Sequence, residues 1–135
     1  MSRSGYTDDG NLENYNLYRA NVDRAFAGKR GQAFLKEVLA ALDALPEKRL
    51  IENMLHEHGE VCAIGSVGKA RGLHMPNLED YEDWDIGIVV AKIFGIAAPM
   101  AREIMYMNDS DYGRDDETPE QRYTRMRKWI AEEIK

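Results

Sequence analysis

The chain has 135 residues, with 18 basic and 24 acidic side chains that give a formal charge of -6 at pH 7. This length is typical of one domain, and the negative charge disfavours a general nucleic-acid coat or a protein of anionic membrane surfaces. A hydrophobic share of 44% excludes disorder throughout the chain. One cysteine precludes an internal disulfide, and the start MSRSGYTDD has no apolar signal core, so the cytoplasm is the expected location.

The first half of the sequence predicts helices after a polar start. Residues 1–11 have no apolar period and are expected to form a flexible arm before a single helical domain at 12–135. Apolar residues three and four apart predict a first helix over about 12–27, and residues 28–31 are expected to form a loop. A continuous apolar stripe then predicts a second helix over 32–45, closed by the proline that follows it.

The middle of the chain contains one ambiguous stretch. Residues 46–61 allow either a helix or a β-hairpin, and the sequence EHGE at 57–60 favours the hairpin. The stretch 62–71 predicts a short helix, in which Gly65 and Gly68 would let another helix approach closely.

Three further helices are predicted in the second half. The helix over about 82–94 is apolar on nearly all sides and is expected to be central, together with 34–45. Another follows over about 99–107, and Thr118-Pro119-Glu120-Gln121 has the hydroxyl cap, proline and glutamine of a strong helix start. The predicted fold class is therefore mainly α, a compact domain of five to six short helices with one small hairpin.

The negative charge is concentrated in two short runs, which together carry -10 while the rest of the chain carries +4. Spaced carboxylates can imitate a row of phosphates and attract a basic groove over long range, so these acids are the candidate partner-binding surface. The alternative is that they are ordinary surface charges that keep the protein soluble. Tyr81 and Trp84, inside the first run, either anchor an interface or pack inward. The candidate residues are Glu79, Asp80, Glu82, Asp83 and Asp85 in the first run, and Asp109, Asp111, Asp115, Asp116 and Glu117 in the second.

Motifs that could support catalysis or nucleotide binding are incomplete. The sequence AIGSVGKA at 63–70 resembles a phosphate-binding loop, but it lacks the first glycine and the hydroxyl residue that should follow Lys69. Cys62 at a helix start could serve as a nucleophile with a nearby histidine, although a lone cysteine between apolar residues is more often a small buried side chain. An enzyme that depends on Cys62 is therefore the third-ranked interpretation.

Metal-binding patterns are also incomplete. His56, His58 and His74 with Cys62 match no standard zinc spacing and offer one thiolate. The acids of the second run fit parts of a calcium loop, but Arg114 stands where that loop requires glycine. We therefore expect no catalytic residue, no metal and no cofactor.

Residues 90–107 resemble a helix-turn-helix core, with a small residue in the first helix and Gly95 in the turn. The second helix has few groups for reading bases, and Arg102 is its one cation, so DNA reading is the alternative function. A basic cluster on the last helix is expected to face outward and to pair with nearby acids. This cluster consists of Arg122, Arg125, Arg127 and Lys128.

Several segments together resemble a set of small proteins encoded by tailed bacteriophages and prophages of proteobacteria. They are MSRSGYTDD, GKRGQAFLKEVLAALDALPEKRLI, GEVCAIGSVGKARG and the closing MND with ETPEQRYTRMRKWI, whereas NMLHEH and YEDWD are the least typical parts. The resemblance implies a phage setting, and hence the cytoplasm of a host bacterial cell as the location, and it supplies no catalytic residues. It favours a non-catalytic protein that binds a host or phage protein through acidic surface, in particular an inhibitor of a host defence system of the anti-CRISPR or anti-restriction type. Direct nucleic-acid binding and membrane association are not expected, and the sequence does not indicate an oligomeric state.

Overall fold

The protein is described by a computed structural model that covers residues 12–109 and 116–135. The predicted arm at 1–11 lies outside these residues. The mainly α fold with one small hairpin is confirmed. The elements in chain order are α1 (Leu12–Ala27), α2 (Lys29–Ala44), β1 (His56–Glu57), β2 (Glu60–Val61), α3 (Ala63–Arg71), a 3-10 turn (Leu78–Asp80), α4 (Asp83–Phe94), α5 (Ala98–Asn108) and α6 (Pro119–Glu133).

A single residue separates the first two helices. The bounds of α1 agree with the prediction, but the predicted loop at 28–31 is wrong, because α2 already begins at Lys29. Gly31 is buried in the first turn of α2, where a Cβ atom would stand 1.9 Å from the Ala25 carbonyl oxygen. Glycine at this position therefore lets the start of α2 pass directly against the end of α1.

The ambiguous stretch forms the hairpin that the sequence favoured. β1 and β2 pair antiparallel, with His56 opposite Val61 and Glu57 opposite Glu60. The two turn residues, His58 and Gly59, have φ values of 51° and 81°. Two successive positive φ angles are the signature of the tight turn whose twist matches that of paired strands.

Two helices form the centre of the core. α2 packs against α1, α3 and α6, while α5 packs against α1, α3, α4 and α6. The prediction that the helix at 82–94 is central is wrong, because α4 packs chiefly against α5 and buries one side. Its other side leaves Trp84 and Ile88 exposed, so the apolar residues on that side are not part of the core.

The glycines of α3 accommodate neighbours other than a helix, contrary to the prediction. A Cβ atom on Gly65 would lie 1.9 Å from the Leu55 carbonyl oxygen, and one on Gly68 would lie 2.3 Å from the Met75 sulfur. The chain before the hairpin and the loop after α3 therefore both lie directly on this helix.

The predicted start of the last helix is confirmed. Thr118 accepts a hydrogen bond from the Gln121 amide, and the Gln121 side chain accepts one from the Thr118 amide. Tyr123, Met126 and Ile130 then form its buried face.

Within the described ranges, no single helix is long and apolar enough to span a membrane. Only α4 and α5 taken together reach that length and hydropathy, and this pair is bent by 109°.

Candidate functional site

The first acidic run lies on the surface at the start of α4, and we call residues 79–85 the acidic segment. Its first two acids belong to the 3-10 turn, which begins at Asn77 with a hydrogen bond from the Glu79 amide to the Asn77 side chain. Asp83 and Asp85 lie in the first turn of α4, where carboxylates favour helix formation because they face the positive end of the helix dipole. The turn and the helix start thus hold five carboxylates along a short stretch of defined backbone.

Among residues 12–109 and 116–135, these carboxylates make no ion pair. Glu79, Asp80, Glu82 and Asp85 are exposed and Asp83 is half-buried. Ion pairs within 12–109 and 116–135 use other acids, including those in the three pairs Glu37–Arg71, Asp43–Arg127 and Glu103–Arg19. The charge of the acidic segment is therefore directed to solvent and is not neutralised by any cation of the described residues.

The structure decides how the aromatic residues of this segment point. Trp84 is 72% exposed and Tyr81 39% exposed, so neither packs inward as a core residue. Ile88, which is four residues after Trp84 and therefore on the same side of α4, is 42% exposed. The segment and the α4 residues beside it therefore combine negative charge with exposed apolar area. The sequence analysis named Tyr81 and Trp84 as candidates for such a surface but did not name Ile88.

The second acidic run is not the surface that the sequence predicted. Asp109 is fully buried, and its Oδ1 accepts hydrogen bonds from the Asn53 amide and the Asn108 side chain, both within 3.1 Å. Glu117 is mostly buried and pairs with Arg125 at 2.6 Å. Asp116 is exposed, whereas Asp111 and Asp115 lie outside the described residues. The prediction of surface acids is thus wrong for Asp109 and Glu117, because buried donors surround them.

Asn108 connects three parts of the chain next to Asp109. Its Oδ1 accepts a hydrogen bond of 3.0 Å from the Ala63 amide at the start of α3, and its Nδ2 donates to the Ile51 carbonyl at 2.9 Å. We call Asn108, Asp109, Glu117 and Arg122, with the backbone of 50–53 that they bind, the α5 junction. The first bond satisfies the amide of the first residue of α3, and the second satisfies a carbonyl in a segment that forms no helix or strand of its own.

The basic cluster of α6 is only partly outward-facing. Arg122 is 3% exposed, donates to the Leu50 carbonyl at 3.1 Å and lies 3.5 Å from Glu117, so its predicted outward position is wrong. The expected pairing with acids is confirmed, since Arg127 binds Asp43 at 2.7 Å. Arg125 pairs with Glu117, and Lys128 lies 4.0 Å from Glu132.

Cys62 has a structural role at the start of α3. It is fully buried, and its sulfur accepts a hydrogen bond of 3.3 Å from the Gly65 amide, which caps the helix. His56 contacts the Met75 carbonyl through Nε2 at 2.8 Å, while His58 and His74 are exposed on separate loops. Across the described ranges, no three His, Cys, Asp or Glu side chains are grouped so as to hold a metal ion.

The second helix of the helix-turn-helix pattern is enclosed by the fold. The angle of 109° between α4 and α5 lies within the range of such motifs. However, every residue of α5 is buried or half-buried, because α1, α3, α4 and α6 surround it. Arg102 lies against Gly87 of α4, and Glu103 accepts a hydrogen bond of 2.6 Å from Arg19.

A hollow of about 480 Å³ lies beside α6, lined by Tyr123, Thr124, Arg127, Lys128, Ala131 and Glu132. Burial raises the pKa of Tyr123, whose hydroxyl donates to the Leu42 carbonyl at 2.9 Å. In this hollow, the Tyr123 hydroxyl and the Arg127 side chain are thus already bound within the fold, which makes the hollow a weaker candidate site than the acidic segment.

Sequence reasoning missed the α5 junction, although one signal for it was present. Arg122 precedes Met126 and Ile130 by four and eight residues, which places it on the buried face of α6. No comparable signal marks Asp109, because Asn53, one of its two donors, lies 56 residues away in sequence. Comparison with known proteins adds no relative to these observations, since no family model, curated protein or solved structure matches the chain.

Proposed function

We propose that this protein acts without catalysis, by binding another protein through the acidic segment. The observation that supports this most directly is the group of five carboxylates at 79–85, which have no ion-pair partners within the described ranges and surround exposed Trp84. The helix dipole accounts for Asp83 and Asp85, but no cation of the described residues offsets the repulsion between Glu79 and Asp80, so these acids are better explained by an external cationic surface than by the fold itself.

The chemistry of the partner follows from the charge. A row of carboxylates imitates the phosphates of a nucleic acid and accelerates encounter with a basic groove through long-range attraction. We therefore propose as partner a host or phage protein with a positively charged nucleic-acid channel. The resemblance to proteins of tailed phages favours a host defence protein of the CRISPR or restriction type, which this chain would inhibit by occupying that channel.

The test compares three baits in a pull-down from the bacterial host. One is the wild type, and the second, called the neutralised variant, has Glu or Asp replaced by Gln or Asn at 79, 80, 82, 83 and 85. The third, called the charge-matched control, has the same kind of replacement at Asp23, Glu47, Glu57, Glu132 and Glu133. Each captured protein is then assayed for nucleic-acid binding with and without added bait.

The wild type and the charge-matched control are expected to capture the same nucleic-acid-binding protein and to displace its nucleic acid. The neutralised variant is expected to lose this capture, mainly through slower association that no longer depends on salt. If the neutralised variant captures and inhibits that protein as well as the wild type does, the acidic segment is not the binding surface and the proposal is wrong.

The alternative, a regulator that reads DNA with residues 90–107, is supported by the 109° angle between α4 and α5. It requires α5 to enter the major groove, and the burial of Met100, Ile104 and Met105 opposes this. Duplex binding that weakens steeply with salt and is abolished by Arg102→Ala would favour the regulator over the acidic binder.

A further inference from the structure

α4 carries an apolar face that no described part of the chain covers. Trp84 and Ile88 lie one turn apart on this face, and the opposite side of the helix buries Ile86, Val90 and Phe94 in the core. Tryptophan is among the residues that protein interfaces concentrate at their centres, and Ile88 extends the exposed apolar area beside it. We call Trp84 and Ile88 the α4 face.

Charge is distributed unevenly along this face. The five carboxylates of the acidic segment lie at the N-terminal end of α4, and Lys92 is exposed on the same side, one turn beyond Ile88. The carboxylates have no ion-pair partners in the described ranges, so a docked partner gains attraction at this end without displacing an existing pair. The charge that complements the α4 face is therefore a group of cations beside one end of an apolar stripe.

A second copy of this chain does not supply that complement. An antiparallel copy of α4 would place its own Lys92 against five carboxylates at each end of the contact. Most of the negative charge would then remain unneutralised, and the two copies would repel each other through it. Charge complementarity favours a different partner.

We propose that the α4 face docks an amphipathic helix of the partner protein, with Lys or Arg residues grouped at one end of its apolar stripe. This proposal rests on the proposed function and names the element that the acidic segment recognises. Apolar residues three and four apart on the partner helix pack against Trp84 and Ile88, since ridges of such spacing fit between the side chains of a second helix. The grouped cations contact the carboxylates at 79–85.

The two parts of this surface have different kinetic roles. The carboxylates act over several ångströms and mainly raise the association rate, with a strong dependence on salt. Trp84 and Ile88 act in contact and mainly slow dissociation, because their burial is lost only when the helices separate. Attraction by charge alone would leave the apolar residues without influence on binding.

The experiment uses a synthetic peptide as the partner. The probe is a helix of about 18 residues, long enough for five turns, built from Leu, Ala and Lys with Leu at helical spacing and Lys in the C-terminal half. A scrambled peptide of the same composition has the same charge and no apolar stripe. Binding is followed by calorimetry, by stopped-flow kinetics and by the fluorescence of Trp84 in a Trp129→Phe background, since the chain has 2 tryptophans.

The helical probe is expected to bind with a blue shift of Trp84 emission, and the scrambled peptide to bind at least about tenfold more weakly. Trp84→Ala and Ile88→Ser are each expected to weaken binding of the helical probe by about tenfold, mainly through faster dissociation. Leu17→Ser is the matched control, because Leu17 is 61% exposed on α1 and should leave binding unchanged. Circular dichroism checks that each variant is folded.

Three outcomes would overturn the inference, and they are distinguishable. If both peptides bind alike and Trp84→Ala has no effect, charge alone acts and the proposed function survives without the α4 face. If the neutralised variant binds the helical probe as fast as the wild type does, the acidic segment has no role and the proposed function also fails. If the free protein sediments as a dimer that Trp84→Ala dissociates, the α4 face is occupied by a second copy.

Discussion

Asp85, at the start of α4, is exposed to water, whereas Asp109, at the end of α5, is fully buried and accepts hydrogen bonds from two donors. Both belong to acidic runs of similar density, and composition alone does not separate them. The difference lies in what surrounds each run. Donors from Asn53 and Asn108 bind Asp109 inside the α5 junction, while the acidic segment faces solvent. Carboxylates such as Asp109 stabilise the fold, and exposed carboxylates such as Asp85 are accessible to a partner.

The largest expected effect comes from removing the centre of the α5 junction. Asn108→Ala deprives the buried Ala63 amide and the partly buried Ile51 carbonyl of their hydrogen bonds. Leaving these two backbone groups unpaired, together with a small cavity, is expected to lower the free energy of unfolding by about 3–5 kcal/mol. Urea denaturation measures this loss. Asn16→Ala, on the exposed side of α1, is the control and should change stability by less than about 0.5 kcal/mol.

The next effect tests whether Arg122 belongs to the fold or to an outer basic surface. Arg122→Met removes the donor to the Leu50 carbonyl and one partner of Glu117, but retains much of the apolar stem. Because Glu117 keeps Arg125 as a partner, we expect a loss of about 2–3 kcal/mol, somewhat less than for an isolated buried pair. Lys128→Met is the comparison on the exposed side of α6. Equal and small losses for both variants would mean that Arg122 is not part of the junction.

Local signals predicted the parts of the fold that depend on a few adjacent residues. The bounds of α1, the tight turn at His58-Gly59 and the capping box at Thr118 each follow from spacing or turn chemistry within one segment. The α5 junction was not predicted, because Asn108 binds backbone groups 45 and 57 residues away. For the same reason the sequence located the acidic segment but left the direction of Trp84 open, since that depends on which side of α4 the remaining helices cover.

A smaller effect is expected for acids that are paired at the surface. Arg71 donates two hydrogen bonds to Glu37 and holds the pKa of that carboxyl below its ordinary value. A pKa that is lower in the folded state means that the pair stabilises the fold above the ordinary pKa, and that this contribution is lost as pH falls through the folded pKa. Glu37→Gln is therefore expected to cost under about 1 kcal/mol near pH 7, because solvent screens the pair, and nothing once the carboxyl is protonated.

Urea titrations of the wild type and Glu37→Gln at several pH values check this expectation. The two stability curves should converge in acid, separate as the pH rises from the lowered pKa of Glu37 toward the ordinary pKa of a glutamate, and remain apart above it. A constant difference at all pH values would show that Glu37 contributes through packing rather than charge. Glu37 would then not be a paired surface carboxylate whose charge stabilises the fold, intermediate between the acidic segment and the α5 junction.

The smallest expected effect has the opposite sign and distinguishes the acidic segment most directly from the α5 junction. The double variant Glu79→Gln and Asp80→Asn removes two of five neighbouring like charges that make no ion pair with the described residues. Relief of repulsion is expected to raise the free energy of unfolding by a few tenths of a kcal/mol, about the size of other like-charge contacts on a protein surface. The gain should fade in high salt because exposed charges are screened, whereas the loss in Asn108→Ala should persist. A loss above about 1 kcal/mol in the double variant would mean that these carboxylates serve the fold, and the contrast with the α5 junction would disappear.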